Sequence, residues 1–185
     1  NSVCAMVHPS TPATALVALG AQIVLRSPSG EVRRSASEDF FLSPTTDLEN
    51  ETSKERDELI TALELPPQPP TLVSAHEKQG ERESYDWPLA DAAVAFRVVN
   101  GVARDVRLVL GAAAPTPIRR PKAERFLEGK KVDATNADRA ARAALEGAEP
   151  LDENAYKLLV FRSVIRRALL RAIDSVESRS EPTSG

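Results

Sequence analysis

A proline cluster near the middle of the chain limits the possible folds more than any other feature. Four of the five residues from Pro66 to Pro70 are prolines. Proline cannot donate a backbone hydrogen bond, and runs of proline prefer a stiff, extended conformation. We therefore expect a linker at residues 67–71 between two structural units, residues 1–66 and residues 72–178. A chain of 185 residues is long enough for two small units.

The first unit carries the local signals of one helix and a β-hairpin. Ser10 or Thr11 can accept hydrogen bonds from the free amides of a helix that has Pro12 at its start and Gly20 at its end. Residues 27–30 are rich in serine, proline and glycine, which is typical of a hairpin turn. The predicted strands of this unit are residues 23–26, 32–35 and 59–65.

The second unit is predicted to be a small antiparallel sheet packed with a helical bundle, followed by a disordered tail at residues 179–185. Asn100-Gly101 is the strongest hairpin signal in the chain because both residues tolerate the left-handed backbone of a tight turn. The sequence as a whole therefore predicts an α+β fold. The predicted strands are residues 72–78, 92–98 and 102–110, and the predicted helices are residues 121–128, 137–145 and 155–176.

Composition excludes several classes of protein. The net charge of −3 and a pI near 5.6 argue against general binding to nucleic acid or to anionic membranes. No apolar run approaches the roughly 20 residues that span a bilayer. The start at Asn1 has no initiating Met and no basic region, so we expect the chain to begin within a domain.

Common catalytic and metal-binding patterns are missing from the sequence. No glycine-rich phosphate loop is present, and one cysteine with two histidines cannot build a closed zinc site. Cys4 and His8 have the spacing of a thiol–imidazole pair on a helix, but Pro9 disfavours helix there, so a partly buried cysteine is the preferred interpretation. The arginines of the last helix indicate a solvated face rather than an anion site.

One segment of the second unit is more informative. Lys78 is followed by Arg82, then by Ser84-Tyr85-Asp86 and an aromatic residue, Trp87. This order, continued by Asn100-Gly101 and by a final arginine-rich helix, resembles the C-terminal domain of the FAD-binding subunits of molybdenum hydroxylases. That family includes the flavin subunits of xanthine dehydrogenases, aldehyde oxidoreductases and carbon monoxide dehydrogenases.

The same resemblance extends to residues 1–66. They are similar to the end of a p-cresol methylhydroxylase type FAD-binding domain, and the chain would lack the N-terminal part of that domain. The resemblance implies FAD contacts at seven positions, which are Asn1, Ser2, Ser10, Thr11, Ile60, Lys78 and Trp87.

The implied contacts differ in their chemistry, and Lys78 and Trp87 also have an ordinary alternative. Asn1 and Ser2 would belong to a backbone turn at the cofactor, and Ile60 would offer its backbone amide. Thr11 stands where the family usually has an aspartate, so it keeps a hydroxyl but loses a charge. Lys78 would stabilise negative charge on the reduced flavin, or is an ordinary solvated lysine. Trp87 would stack near the flavin ring, or is only a packing anchor.

The resemblance implies an electron-transfer subunit of an oxidoreductase complex. Electrons would pass from iron–sulfur clusters through FAD to NAD or another acceptor, with a molybdopterin-binding large subunit and a 2Fe-2S small subunit as partners. The chain would have no catalytic or metal-ligating residue of its own and would be inactive alone. Two alternatives remain open: an interaction module that has lost flavin binding, and an unrelated p-cresol methylhydroxylase type flavin enzyme. The expected compartment is the cytoplasm, or the periplasm after export with a partner.

Overall fold

A computed structural model describes residues 6–82 and 87–180 of the chain. Within these residues the fold is α+β, with two antiparallel sheets and five helices. The helices are α1 (Thr11–Leu19), α2 (Ser37–Phe40), α3 (Pro121–Leu127), α4 (Ala134–Ala144) and α5 (Tyr156–Ser180). The strands are β1 (Gln22–Arg26), β2 (Val32–Ala36), β3 (Leu59–Glu64), β4 (Leu72–Gln79), β5 (Ala90–Val99), β6 (Val102–Gly111) and β7 (Ile118–Arg119).

The first sheet has the strand order β2-β1-β3. The predicted hairpin is confirmed as β1 and β2, which pair from Gln22 opposite Ala36 to Arg26 opposite Val32. β3 pairs on the other side of β1, also antiparallel. The short helix α2 follows β2 and was not predicted from the sequence. Its Phe40 is buried as part of the apolar cluster of this sheet.

The second sheet has the strand order β4-β5-β6-β7. The predicted hairpin between β5 and β6 is confirmed, because Asn100 and Gly101 both have positive φ angles, 52° and 76°. Two such residues form the turn whose twist matches that of the strands it joins. β7, only two residues long, was not predicted from the sequence.

One face of the second sheet carries the main core. Phe96 and Leu108 on this face are fully buried against Ile165 and Leu169 of α5 and against the other C-terminal helices. The alanine stripe predicted on the second helix of the bundle is confirmed, since four alanines of α4 are buried, which are Ala137, Ala140, Ala141 and Ala144.

Three arginines of α5, which are Arg162, Arg167 and Arg171, form ion pairs rather than being only solvated. Arg162 contacts Asp138 of α4 at 2.7 Å, and Arg171 contacts Glu77 of β4 at 2.8 Å. These pairs connect α5 to α4 and to β4 at the edge of the core. The helix also continues to Ser180, so residues 179–180, expected in a disordered tail, are helical.

The opposite face of the second sheet is covered by α1. Val17 and Ala18 of α1 form a small apolar cluster with Ala93 of β5 and Val109 of β6. The helix predicted from the first unit therefore packs directly on the sheet of the second. Among the described helices none is long and apolar enough to cross a membrane.

Candidate functional site

An open pocket lies between the start of α1 and the end of β4. Its volume is about 420 Å³, within the range of about 300–1,000 Å³ usual for ligand sites. Four of the seven residues expected to contact FAD are brought together here. The lining residues are Pro9, Ser10, Thr11, Pro12, Lys78, Trp87 and Pro88.

The α1 side of the pocket differs from the sequence expectation in one respect. Ser10 is the residue before the helix, but its side chain makes no capping hydrogen bond. The reason is local: Pro12 has no amide to offer, and the amide of Ala13 donates to the main-chain carbonyl of Ser10 at 3.2 Å. The expected serine cap was therefore wrong, and the Ser10 hydroxyl is not used to hold the helix.

The α1 side is nevertheless suited to polar or anionic groups. Ser10 and Thr11 place two hydroxyls at the N-terminus of a nine-residue helix. The aligned peptide dipoles give a helix N-terminus about half a unit of positive charge. Two hydroxyl donors beside that charge favour oxygen atoms of a ligand.

The sheet side of the pocket adds a cation and an aromatic ring. Lys78 is half-buried near the end of β4, where its Cα is paired with that of Asp91 on β5. Trp87 precedes β5 and leaves 75% of its surface exposed although it lines the pocket. An exposed indole beside an ammonium group can stack on a flat ring while the cation neutralises negative charge on it.

The remaining expected contacts are not gathered at this pocket. Ile60 lies on β3 of the other sheet, opposite Leu25 of β1, and does not line the pocket. Its side chain is half-exposed, and its expected role through the backbone amide stays a prediction. Asn1, Ser2 and residues 83–86 lie outside the described residues.

A buried polar network directly behind the pocket was missed by the sequence analysis. Asp91, with 1% of its surface exposed, accepts a hydrogen bond from the Thr14 hydroxyl at 2.9 Å. Its other carboxylate oxygen is hydrogen-bonded to Nε2 of His76. An acidic residue within residues 90–96 of β5, which are otherwise apolar, was the one sequence signal of this network, because a buried carboxylate requires partners.

His8 packs against its neighbours in the fold. Its backbone exchanges hydrogen bonds with Ala112 and Ala114, and its ring lies 4.8 Å from that of Phe41. Burial lowers the pKa of His8 below its ordinary value. The segment around His8 is not helical, as Pro9 predicted.

A second cavity, of about 310 Å³, lies on the other side of the second unit and has a mainly apolar lining. Lys157 donates to the carbonyl of Ala112 at 2.9 Å there, and Arg120 donates to the carbonyl of Glu146 at 2.9 Å. Burial lowers the pKa of both cations. None of the described residues expected to contact FAD lines this cavity, so the candidate site is the pocket at Lys78.

Comparison with known proteins places the chain in a family. Residues 75–172, more than half of the chain, match the family model described as the CO dehydrogenase flavoprotein C-terminal domain. The chain belongs to this family. The matched range contains β5, β6 and α3 to α4 completely, together with Lys78 and Trp87 of the pocket.

Curated relatives carry the same relationship over nearly the whole chain. The xanthine dehydrogenase FAD-binding subunit of Escherichia coli O157:H7 is 27% identical over 178 residues, covering 94% of this chain and 59% of the relative. The carbon monoxide dehydrogenase medium chain of Hydrogenophaga pseudoflava is 29% identical over 167 residues, covering 88% and 56%. The chain thus spans somewhat more than half the length of these relatives.

Solved structures agree with the sequence comparison. Quinoline 2-oxidoreductase from Pseudomonas putida 86 matches with a TM-score of 0.78 and 25% identity, covering 94% of this chain and 59% of that chain. Carbon monoxide dehydrogenase from Hydrogenophaga pseudoflava, in a form that lacks the Mo-pyranopterin moiety, matches with a TM-score of 0.75 and 28% identity, covering 88% and 55%. The two sheets and their helices therefore correspond to part of a medium chain.

Proposed function

We propose that this chain contributes one side of the FAD pocket in an electron-transfer subunit of a molybdenum hydroxylase. The observation that carries the proposal is the convergence of Ser10, Thr11, Lys78 and Trp87 on one pocket. These residues come from segments 67 to 77 positions apart in the sequence, and the family resemblance implies a flavin contact at each of them. The relationship to a xanthine dehydrogenase FAD-binding subunit supports the same cofactor.

The chain's own residues bind and orient the cofactor in this proposal. FAD would supply an acceptor that takes up two electrons and passes them on. The Lys78 ammonium stabilises the negative charge that a reduced flavin ring carries. Trp87 covers a face of the ring and limits the approach of the electron acceptor. The hydroxyls of Ser10 and Thr11 hold oxygen atoms of the cofactor at the start of α1.

The subunit would act within a complex. Electrons would arrive from the iron–sulfur clusters of a 2Fe-2S small subunit, after oxidation of substrate at a molybdopterin-binding large subunit, and would leave to NAD or another acceptor. Residues 1–66 would then be the end of a p-cresol methylhydroxylase type FAD-binding domain, and residues 72–178 the C-terminal domain. The complex is proposed to be cytoplasmic, or periplasmic after export with a partner.

Purification of the full-length product of the gene that encodes these residues tests the proposal. We expect a yellow protein whose visible flavin absorbance bleaches on reduction. A stable, full-length, colourless protein that also fails to bind added FAD would refute it. Residues 1–185 alone are expected to retain little or no FAD, because the pyrophosphate-binding loops are expected upstream, and tight binding by this chain would contradict that expectation.

A matched pair of variants tests the role of the cation. Lys78→Gln removes an ammonium from the pocket, whereas Lys122→Gln removes one from an exposed pair with Glu146. Hydrogen bonds to charged groups contribute about 1.5–3 kcal/mol, so Lys78→Gln is expected to weaken FAD binding at least about tenfold. Equal FAD affinity in both variants would show that Lys78 does not contribute to FAD binding.

A second candidate function is an interaction module that has lost flavin binding. Thr11 favours it, because this position lacks the carboxylate that the family usually places at the cofactor. Thr11→Asp restores the charge and distinguishes the two candidate functions. In a flavin subunit the variant is expected to bind FAD more tightly. In an interaction module it is expected to stay colourless while still assembling with its partner subunits.

A further inference from the structure

We propose that Asp91 is a positioning residue of the pocket, which sets the distance between the start of α1 and Lys78 through its bonds to Thr14 and His76. The three residues belong to three different elements, β5, α1 and β4. Asp91 is therefore hydrogen-bonded to both sides of the pocket. Its consequence for flavin rests on the function proposed above, whereas the geometric claim does not.

Each partner of Asp91 is directly linked to one side of the pocket. Thr14 is one helical turn after Thr11, and residues three apart are neighbours on a helix surface. His76 is two residues before Lys78 on β4, and residues two apart on a strand point to the same face. Loss of the bond to Thr14 is therefore expected to shift Thr11, one helical turn away. Loss of the bond to His76 is expected to shift Lys78, two residues along the strand.

The surroundings make this connection specific. Thr14 is fully buried and Asp91 has 1% of its surface exposed, so neither can exchange its partner for bulk water. A buried carboxylate without partners is strongly unfavourable, which fixes both hydrogen bonds in the folded state. Gly111 on β6 leaves the necessary space: a Cβ atom there would lie 2.2 Å from the Thr14 hydroxyl and 2.6 Å from Oδ2 of Asp91.

Burial and hydrogen bonding also describe a residue that only stabilises the fold. The two roles differ in what changes when a bond is removed. A residue that only stabilises the fold affects exchange and reactivity throughout the molecule. A positioning residue affects α1 and Lys78 selectively, while α4 on the opposite face keeps its protection.

The test uses the 185-residue chain and needs no flavin. Thr14→Val removes the hydroxyl but keeps the shape, and His76→Phe removes the bond from the half-exposed β4 side, where folding is least at risk. Thr14→Ser keeps the hydroxyl and is the rescue variant. Thr61→Val, at an exposed threonine on β3, is the matched control.

Two measurements on these variants report the pocket directly. Hydrogen exchange of the α1 amides is expected to accelerate about tenfold in Thr14→Val and His76→Phe, with α4 as the internal reference. The rate of acylation of Lys78, relative to Lys122, is expected to change in the same two variants. Thr14→Ser and Thr61→Val are expected to match the wild type in both measurements.

The outcomes decide the proposal in either direction. Selective change in α1 and at Lys78, rescued by serine, supports it. Unchanged values, or a uniform acceleration that includes α4, overturn it. The same variants in the full-length gene product then report FAD affinity, which is expected to fall in Thr14→Val and to be restored in Thr14→Ser. If no form binds FAD, the proposed function fails while the positioning result stands.

Discussion

Gly111 offers the sharpest test of how α1 packs on the second sheet. It is the last residue of β6, and the place of its missing side chain is filled by Thr14 and Asp91. A Cβ atom would approach the Thr14 hydroxyl to 2.2 Å and Asp91 Oδ2 to 2.6 Å, both far inside ordinary contact. Gly111→Ala must therefore displace α1 or break the hydrogen bond between Thr14 and Asp91.

The expected loss follows from three contributions. Adding a methyl group to a packed interior costs about 1–3 kcal/mol. Breaking a buried hydrogen bond to a carboxylate costs about 1–3 kcal/mol more. Replacing glycine with alanine lowers the conformational entropy of the unfolded chain, which stabilises the folded state by about 0.4–1 kcal/mol. Gly111→Ala is thus expected to lower the free energy of unfolding by about 1–5.5 kcal/mol, compared with the roughly 5–15 kcal/mol typical of a domain.

Urea denaturation with a check of constant m-value measures the effect. The double variant Gly111→Ala/Thr14→Ala removes the nearest clashing atom, so its loss should be smaller than the sum of the single losses by about 1 kcal/mol or more. Gly147→Ala, at a positive-φ glycine with open space around it, measures the cost of left-handed backbone strain without a clash, a strain that Gly111 does not have because its φ is not positive. A loss below about 0.5 kcal/mol in Gly111→Ala, or strict additivity in the double variant, would refute the reasoning.

Three further predictions concern the rest of the molecule. Leu169→Ala, in the fully buried core, is expected to cost about 2–5 kcal/mol in urea denaturation, whereas Leu159→Ala, 71% exposed, should stay within about 0.5 kcal/mol. Burial lowers the pKa of His8 in the fold, so the unfolded chain binds more protons and the free energy of unfolding falls as pH drops below 6.5. His8→Phe should reduce this dependence of the free energy of unfolding on pH, and an unchanged dependence would contradict the prediction. The hydrogen bond from Arg33 lowers the pKa of Glu58, so the stabilisation by this pair is present above pH 4.5 and is lost as pH falls towards the folded-state pKa. In Glu58→Gln this loss at low pH should be absent when the free energy of unfolding is measured at successive pH values.

Local chemistry explains why the hairpins and the main helices could be predicted from the sequence. Asn100 and Gly101 specify their turn without reference to the rest of the chain, and Gly20 stops α1 with a φ of 68°. The exceptions are also local in origin. Ser10 failed as a side-chain cap because Pro12 removes one amide and the backbone takes the next.

Long-range contacts explain what sequence reasoning could not reach. Thr14 and Asp91 are 77 positions apart, and neither has a periodic pattern that points to the other. The two-residue strand β7 exists only because β6 offers it an edge, with Val109 opposite Arg119. The family resemblance implies that Lys78 and Trp87 contact the flavin. Whether they lie next to Ser10 and Thr11, however, depends on where α1 packs on the sheet.

The position of α1 is fixed at both of its ends, and this determines where a pocket can form. Near its start, Thr14 is bonded to Asp91; near its end, Arg107 of β6 donates to the Val17 carbonyl at 3.4 Å, where a cation also complements the helix dipole. The guanidinium lies so close to Gly20 that a Cβ atom there would be 2.7 Å from it. Contacts at two points oppose sliding of α1 along the sheet, and the start of α1 lies beside Lys78 in the pocket. If α1 is positioned in this way, the pocket is formed by the packing of α1 on the sheet before any ligand binds, which lowers the ordering cost of binding. Substitutions at Asp91 and Arg107, which do not line the pocket, are then expected to change its geometry.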